Sequence, residues 1–448
     1  MDLYTSAFRQ VIMPFYDHLK GKGLIKHLND YESHLKWSPE QLKNWQWQQL
    51  QKLLKHAYEH TEFYKKAWKE VGIDSYEDIS SMAAFEQLPI ITKSDIREHY
   101  QSFQSDKHLD NVKKATGGSS GQPFSFELDL NSNTRREAVM WRGYGWLGAG
   151  LGVKTLYLWG ADLGNPSKSK TLKNALYHGF YNRKMLNSFA MNNSNMHTYV
   201  DDINSYKPTA IVSYVNPLFE LARYILSNNI KVHAPKTILT GAEPLHEFQR
   251  EVIEKAFNAP VYNTFGCREF MLIAAECKEH KSLHINNDHL IVEVVDENQT
   301  PIKGSSGDLI ITDLYNYGMP FIRYANGDKA TIDDQPCPCG NPLPIISSID
   351  GRKLDIIKTN DGGKIPGELF PHMFKDFEGI ERFQVIQKEI TGITIKLVCN
   401  DKFSDADKEM IRAEINKYDN GALDVVFDIV DEIPLTKAGK HKVTICEI

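Results

Sequence analysis

Residues Thr116 to Gly121 read Thr-Gly-Gly-Ser-Ser-Gly, a composition suited to meeting an anion. Gly117, Gly118 and Gly121 admit left-handed backbone and remove side-chain obstruction, so that N–H groups can approach phosphate oxygens closely. Thr116, Ser119 and Ser120 add hydroxyl donors. No Gly-Lys-Ser/Thr follows, so the loop is not a Walker-type P-loop, and a plain Gly/Ser turn between strands is the competing reading. A second group of residues points to a metal. Cys337-Pro-Cys339-Gly340 sets two sulfurs one residue apart on a tight turn, a pattern that suits Zn²⁺. Cys277 together with His284 or His280 would complete four ligands. A site closed by four protein ligands is structural rather than catalytic; buried reduced cysteines are the alternative.

Four further segments follow in order: Tyr262-Asn-Thr-Phe-Gly-Cys-Arg-Glu269, Phe321-Ile-Arg-Tyr-Ala-Asn-Gly-Asp328, Asp350-Gly-Arg-Lys-Leu-Asp-Ile-Ile-Lys358 and Pro434-Leu-Thr-Lys-Ala-Gly-Lys440. With the first loop, the series resembles the acyl-adenylate-forming superfamily, and most nearly its phenylacetate–CoA ligase branch with the capsular-polysaccharide-associated relatives. His56–Tyr64 and Leu88-Pro-Ile-Ile-Thr-Lys93 are also typical of that branch, so the resemblance spans nearly the whole chain.

The resemblance implies an ATP- and Mg²⁺-dependent enzyme that converts a small carboxylic acid to an acyl-AMP and transfers the acyl group to coenzyme A. An amine or a carrier-protein thiol is the alternative acceptor, and a nucleotide-binding scaffold without turnover is the non-enzymatic alternative. It also implies roles. The 116–121 loop takes the ATP phosphates, with Gly241, Ala242, Glu243 and Pro244, and Thr264, Phe265 and Gly266, around the adenine side. Glu269 holds Mg²⁺, as a hard carboxylate bridging to phosphate oxygens would; a surface carboxylate at a helix start is the other reading. Arg268, which departs from the family pattern, could by its charge contact a phosphate or the substrate carboxylate. Asp328 bridges the ribose hydroxyls, two acceptors for two vicinal donors, although Asn-Gly-Asp is also an ordinary turn. Arg352 reaches ribose or phosphate. Lys440, on a mobile domain, neutralises charge at the α-phosphate and then withdraws; a solvated lysine-rich terminus is its alternative. The chain departs from the family pattern at Gln122, Phe265, Arg268, Leu354 and Val443, where relatives often carry Lys, Tyr, a hydroxyl residue, Asp or Lys, and Arg. Trp141, Trp159, Tyr214, Asn216 and Met271 are pocket candidates by position, with core packing as the rival explanation.

The elements that must position these groups fit 448 residues, enough for two or three cores. The expected fold is α/β: a large body of several subdomains over residues 1–350, with parallel and mixed sheet, and a small mobile α+β domain over 351–448. The first hundred residues read as helical, with Ser38-Pro-Glu-Gln41 as a capped helix start. Thr155–Trp159, Thr209–Ser213, Lys236–Thr240 and Val261–Thr264 read as buried strands that alternate with helices, and ligands in such sheets sit beyond the carboxyl ends. Residues 290–332 read as antiparallel. Strands near 382–387, 393–398 and 424–430 and a helix near 404–418 make the small domain.

The formal charge is −6 and no basic block of five or more residues occurs, so charge implies no nucleic-acid partner. No apolar run approaches the ~20 residues that span a bilayer. Leu3, Phe8, Val11, Ile12, Met13 and Phe15 form a short amphipathic pattern, read as a helix packed on the body. Six cysteines describe no disulfide framework, which makes a reducing cytoplasm the expected location. A homodimer is the expected assembly.

Overall fold

A computed structural model of the chain describes every residue except 1–2, 108, 116–123, 161–167, 192–193, 334, 353–356, 361–363, 366–368, 375–376, 378, 420–422 and 435–441. The chain folds into two compact units. One is built from Met1–Thr116, Pro123–Asn326 and Ala330–Ser348, and the other chiefly from Ile349–Ile448.

The first unit opens with helices. Pro39–His60 begins as its residues dictate: Ser38 caps it, the Gln41 N–H donates to the Ser38 hydroxyl at 3.2 Å, and the Ser38 N–H donates to the Gln41 side chain at 2.8 Å. The hairpin β1 (Asn111–Ala115) and β2 (Ser125–Asp129) pairs antiparallel, leading into the helix Leu130–Trp146. β3 (Thr155–Trp159), β4 (Arg183–Asn187), β5 (Ala210–Tyr214), β6 (Thr237–Gly241) and β7 (Val261–Phe265) are parallel. β8 (Ala274–Glu276), β9 (Leu283–Ile285), β10 (Leu290–Val295), β11 (Gly307–Asp313), β12 (Tyr324–Asp333) and β13 (Ile345–Arg352) follow. Among the described residues these eleven strands form one sheet, in the order β10-β11-β12-β13-β9-β8-β7-β6-β5-β3-β4. β7 is the hinge of the pattern: parallel to β6 and antiparallel to β8.

Both faces of the parallel part are covered, which is why its strands read as continuous apolar runs. Leu156, Leu158, Ile211, Ile238 and Val261 face Val200, Ile203, Leu218, Leu221, Ile253 and Phe257 on three helices. Ala210, Val212 and Leu239 face the other way, toward Tyr144, Leu147 and Leu272. The strand order turns at β3, whose neighbours are β4 and β5, which makes the carboxyl ends of β3 and β5 the switch point where such sheets bind ligands.

A buried charge network ties the helical segment to the antiparallel strands. The Arg142 guanidinium, fully buried, donates to both Asp288 oxygens at 2.6 and 2.8 Å, to Asn286 Oδ1 at 2.6 Å and to the Tyr31 carbonyl at 2.9 Å. His34 Nδ1 lies 2.9 Å from Asp288. Burial pushes the Asp288 carboxyl up, but Arg142 and His34 more than reverse this and hold it below the usual carboxylate range. Burial lowers His289 to about 3, and its Nδ1 lies 2.8 Å from the Tyr31 hydroxyl.

The N-terminal helix packs on the body with only part of the apolar pattern. Phe8 and Met13 are buried, but Leu3, Val11, Ile12 and Phe15 are exposed.

The second unit holds the two-stranded β14 (Ile357–Lys358) and β15 (Lys364–Ile365), and a four-stranded sheet. The latter runs β18 (Asp424–Ile429), β17 (Gly392–Cys399), β16 (Ile380–Glu389), β19 (Thr444–Cys446), with the helix Asp405–Asp419. Val385, Ile395, Leu397, Ile411 and Ile415 centre its core. The mixed α/β architecture with a small C-terminal unit is the fold class that the sequence implies.

Candidate active site

The site residues of the first unit gather where β6 and β7 end. The Thr264 hydroxyl donates to the Thr240 carbonyl at 2.7 Å and ties these ends together. A Cβ on Gly241 would lie 2.7 Å from that hydroxyl, so only glycine lets the strands approach this closely. Ala242 then takes φ 67°, a left-handed conformation that a residue with a Cβ adopts rarely. The turn aims Glu243 at a neighbour: its carboxylate accepts from the Asn216 N–H at 2.8 Å, at the start of the helix Val215–Ser227. The Asn216 side chain in turn accepts from Gln249 at 3.0 Å. Glu243 therefore supplies the cap that Tyr214 cannot provide, and Asn216 is spent in the same network.

Beyond β7 the chain doubles back. A Cβ on Gly266 would fall 1.8 Å from the Met271 carbonyl, the Met271 N–H donates to Cys267 O at 2.7 Å, and Met271 has φ 65°. This tight loop carries Arg268 outward and Glu269 inward. Glu269 is 3% exposed, which removes the reading of a surface carboxylate. Its Oε1 accepts from the Tyr324 hydroxyl at 3.0 Å and lies 3.4 Å from Lys93 Nζ. Arg136 clamps the loop backbone, donating to the Arg268 carbonyl at 2.6 Å and the Glu269 carbonyl at 3.0 Å. Lys93 also sits 5.9 Å from the centre of the Phe124 ring.

Sequence reasoning singles out neither Arg136 nor Tyr324, and it takes Lys93 only as part of a typical segment. Arg136 has no local signal; Lys93 follows Thr92, the cap of its short helix. The same region is rich in positive charge. Burial, followed by repulsion from Arg136 and Arg268, lowers the Lys114 ammonium, and Lys114 stands two residues before Thr116.

At the ends of β3 and β5, the rings of Trp159 and Tyr214 are 4.1 Å apart, tilted by 37°. Burial, and then the charge of Glu243, raises the Tyr214 hydroxyl. Phe265 is half-buried at the end of β7. Trp141, by contrast, packs in the apolar cluster of Phe8, Leu28 and Tyr31.

Asn326-Gly327-Asp328 is not a turn: it lies within β12, where Gly327 takes φ 89°. Arg352 ends β13, and its side chain lies outside the described residues. Thr116, Gly117, Gly118, Ser119, Ser120, Gly121, Gln122, Leu354 and Lys440 also lie outside them.

Away from this region, Cys277, His284, Cys337 and Cys339 come together, with all ligand atoms within 4.8 Å of one another. Cys277 and Cys337 sulfurs are 3.6 Å apart, too far for a disulfide, and Cys339 Sγ is 3.2 Å from His284 Nε2. A tetrahedral ion with ~2.3 Å bonds to sulfur has edges of about 3.8 Å, so the spacing fits Zn²⁺. His284 Nδ1 lies 3.0 Å from the Leu343 carbonyl, which assigns the proton to Nδ1 and leaves Nε2 free to ligate. Gly340, at φ 83°, turns the chain so that both nearby sulfurs face inward. Burial pushes the Cys277 thiol up to about 12, so a cation is what would hold it as thiolate. His280 is occupied elsewhere, 3.1 Å from Arg250 and stacked on Tyr262.

Comparison with known proteins finds relatives of one kind. Residues 357–447 match the CapK C-terminal domain family. Protein CapK of Staphylococcus aureus is 28% identical over 96% of both chains. The phenylacetate-coenzyme A ligase of Thermus thermophilus is 24% identical over 80% of both. Among solved structures, 2-hydroxyisobutyryl-CoA ligase in the postadenylation state superimposes with a TM-score of 0.71 at 18% identity, over 89% of this chain and 88% of that one. Among the described residues, no helix is long and apolar enough to cross a membrane. The ordered motifs, the fold and the near full-length similarity agree: the chain is similar to CapK and the phenylacetate-coenzyme A ligases, and it has the fold of the acyl-adenylate-forming ligases.

Proposed function

We propose that the protein uses ATP and Mg²⁺ to activate an aryl or related carboxylic acid, and then transfers the acyl group to coenzyme A. In the first step a carboxylate oxygen attacks the α-phosphorus and pyrophosphate leaves; in the second, the thiol attacks the acyl carbon and AMP leaves. The observation that carries this reading is the Glu269 carboxylate, buried at the end of β7 and held by Tyr324 and Lys93. An anionic oxygen fixed there suits Mg²⁺, which prefers one or two carboxylates plus substrate phosphates. Gln122 gives the phosphate loop no cation of its own; Lys114 and Arg268 supply the positive field instead. Asp328 and Arg352 serve the ribose, and Lys440 the adenylation step from a C-terminal domain that begins near residue 351 and moves between half-reactions. The Cys277–His284–Cys337–Cys339 cluster holds a structural Zn²⁺. The reaction and its cofactors suit a cytoplasmic location.

Carboxylate-dependent exchange of labelled pyrophosphate into ATP tests the first step: at least one member of a carboxylic-acid library should support it without any acceptor. Production of ADP with no exchange for any acid would refute the reading. Repeating the screen with coenzyme A decides the acceptor. The match of residues 357–447 to the CapK C-terminal domain favours a second reading, in which an amine or a carrier-protein thiol takes the acyl group. Under it, coenzyme A leaves AMP release unchanged.

For the metal, elemental analysis of protein purified without added zinc should find about one equivalent, and chelation should lower the unfolding temperature, because the binding energy of a structural zinc is folding energy. Protein free of zinc and unmoved by chelators would leave four ordinary buried side chains.

A further inference from the structure

Leu3–Ala7, Phe8–Ile12 and Met13–Lys20 run on as successive helical segments, the middle one a π-helical turn. One side of this element is packed: Thr5, Phe8, Met13 and Asp17 are buried. Phe8 and Tyr16 set their rings 5.2 and 4.9 Å from that of Phe180, and the Tyr4 hydroxyl donates to the Phe180 carbonyl at 3.0 Å. Phe180 ends the helix Lys168–Phe180, so the two helices are neighbours.

The other side is apolar and bare. Leu3, Val11, Phe15 and Leu19 are 92, 65, 65 and 67% exposed. Intervals of eight, four and four residues keep them near one stripe of the helix. On the neighbouring helix Leu176 is 67% exposed and Tyr177 49%. Fifteen large hydrophobic side chains are exposed among the described residues, and eight of them fall within residues 3–19 and 176–177. Single exposed hydrophobics are normal, whereas a cluster of this kind marks a contact surface.

Charge selects what the surface contacts. The exposed positions described in this helical element carry no acid: Asp17 is buried and accepts from the N–H groups of Leu24 and Ile25 at 3.0 and 2.9 Å. Lys20 and Lys22 follow the stripe and are exposed. The second helix, Lys168–Phe180, holds three Lys and no Asp or Glu, in a chain with a net charge of −6. A second copy docked by a two-fold on the same face would bring the like-charged Lys20, Lys22 and Lys173 of the two copies together.

We propose that this face docks the protein on an anionic lipid surface. The Leu3–Leu19 stripe would lie at the boundary of headgroups and acyl chains, with Lys20, Lys22 and Lys173 at the lipid phosphates. An apolar stripe gives depth of insertion and the lysines give preference for negative membranes, so the two contributions can be separated.

The full-length protein would be floated with vesicles of phosphatidylcholine alone and of phosphatidylcholine mixed with phosphatidylglycerol. Binding to the anionic vesicles should exceed binding to the neutral ones by about tenfold and fall with added salt. Val11→Ser, Phe15→Ser and Leu19→Ser combined should lower it about tenfold or more while the unfolding temperature holds, because these side chains have no buried partner to lose. Lys20→Glu with Lys22→Glu should remove the preference for anionic vesicles. Wild-type binding no better than to neutral vesicles, or binding untouched by the three serines, would overturn the proposal. So would sedimentation showing a wild-type dimer that the serine variant dissociates, which gives the face to a second copy.

Discussion

Lys440→Ala is expected to slow acyl-AMP formation by about 10²–10³-fold, the usual loss when one fixed donor to developing charge is removed. Reaction of preformed acyl-AMP with the acceptor should change little. The asymmetry follows from where the lysine stands: Pro434-Leu-Thr-Lys-Ala-Gly-Lys440 falls in the sequence of the smaller unit. A side chain borne by a domain that moves can serve one half-reaction and be turned away in the other. The measurement compares wild type and variant in two assays, pyrophosphate exchange and thioester formation from synthetic acyl-AMP and coenzyme A. Equal loss in both would mean damage to the fold or a domain that does not move. Unchanged exchange would remove Lys440 from the mechanism and transfer attention to Lys437 or Lys442.

Glu269→Gln is expected to reduce turnover about 10²-fold or more at ordinary Mg²⁺ and to shift the Mg²⁺ titration to higher concentration. The amide is the same size and its oxygen still accepts from the Tyr324 hydroxyl, so the fold should survive. The lost pairing with Lys93, whose side chain is one-third exposed, costs about 1 kcal/mol at most. Turnover titrated against Mg²⁺, with thermal unfolding alongside, separates the two effects. A variant with unaltered metal dependence but a much lower unfolding temperature would make Glu269 a structural partner of Tyr324 and Lys93, and would leave the metal to another carboxylate.

The parts of the fold that were legible in the sequence are those whose cause is local. β3 and β5–β7 are short apolar runs because helices cover both faces of the sheet, and the start at Ser38 is written in four adjacent residues. β4 was missed because Arg183–Asn187, paired only with β3 at the sheet edge, reads as polar; the three-residue β8 and β9 are too short to show a period. The same division holds in the site. The Cys337-x-Cys339 turn announces itself by type and spacing, and Gly266 and Glu269 are found through the resemblance to a family pattern. Arg136 and Tyr324 do not, because they act through partners 133 and 55 residues away. Which of His280 and His284 stands beside the three cysteines likewise shows only in what each ring touches.

The Arg142–Asp288 network has a consequence for the order in which the chain is made. His34 meets Asp288 across 254 residues, and Tyr31 meets His289 across 258. At ~5–20 residues per second a ribosome needs roughly 13–50 s to supply those partners after the first helices emerge. During that interval His34 and the Tyr31 hydroxyl lack these partners, although the helix Leu130–Trp146, against which Leu28 and Tyr31 pack, arrives earlier. The helices around Tyr31 and His34 are thus made well before the last of their polar partners, and this part of their network stays incomplete over that interval.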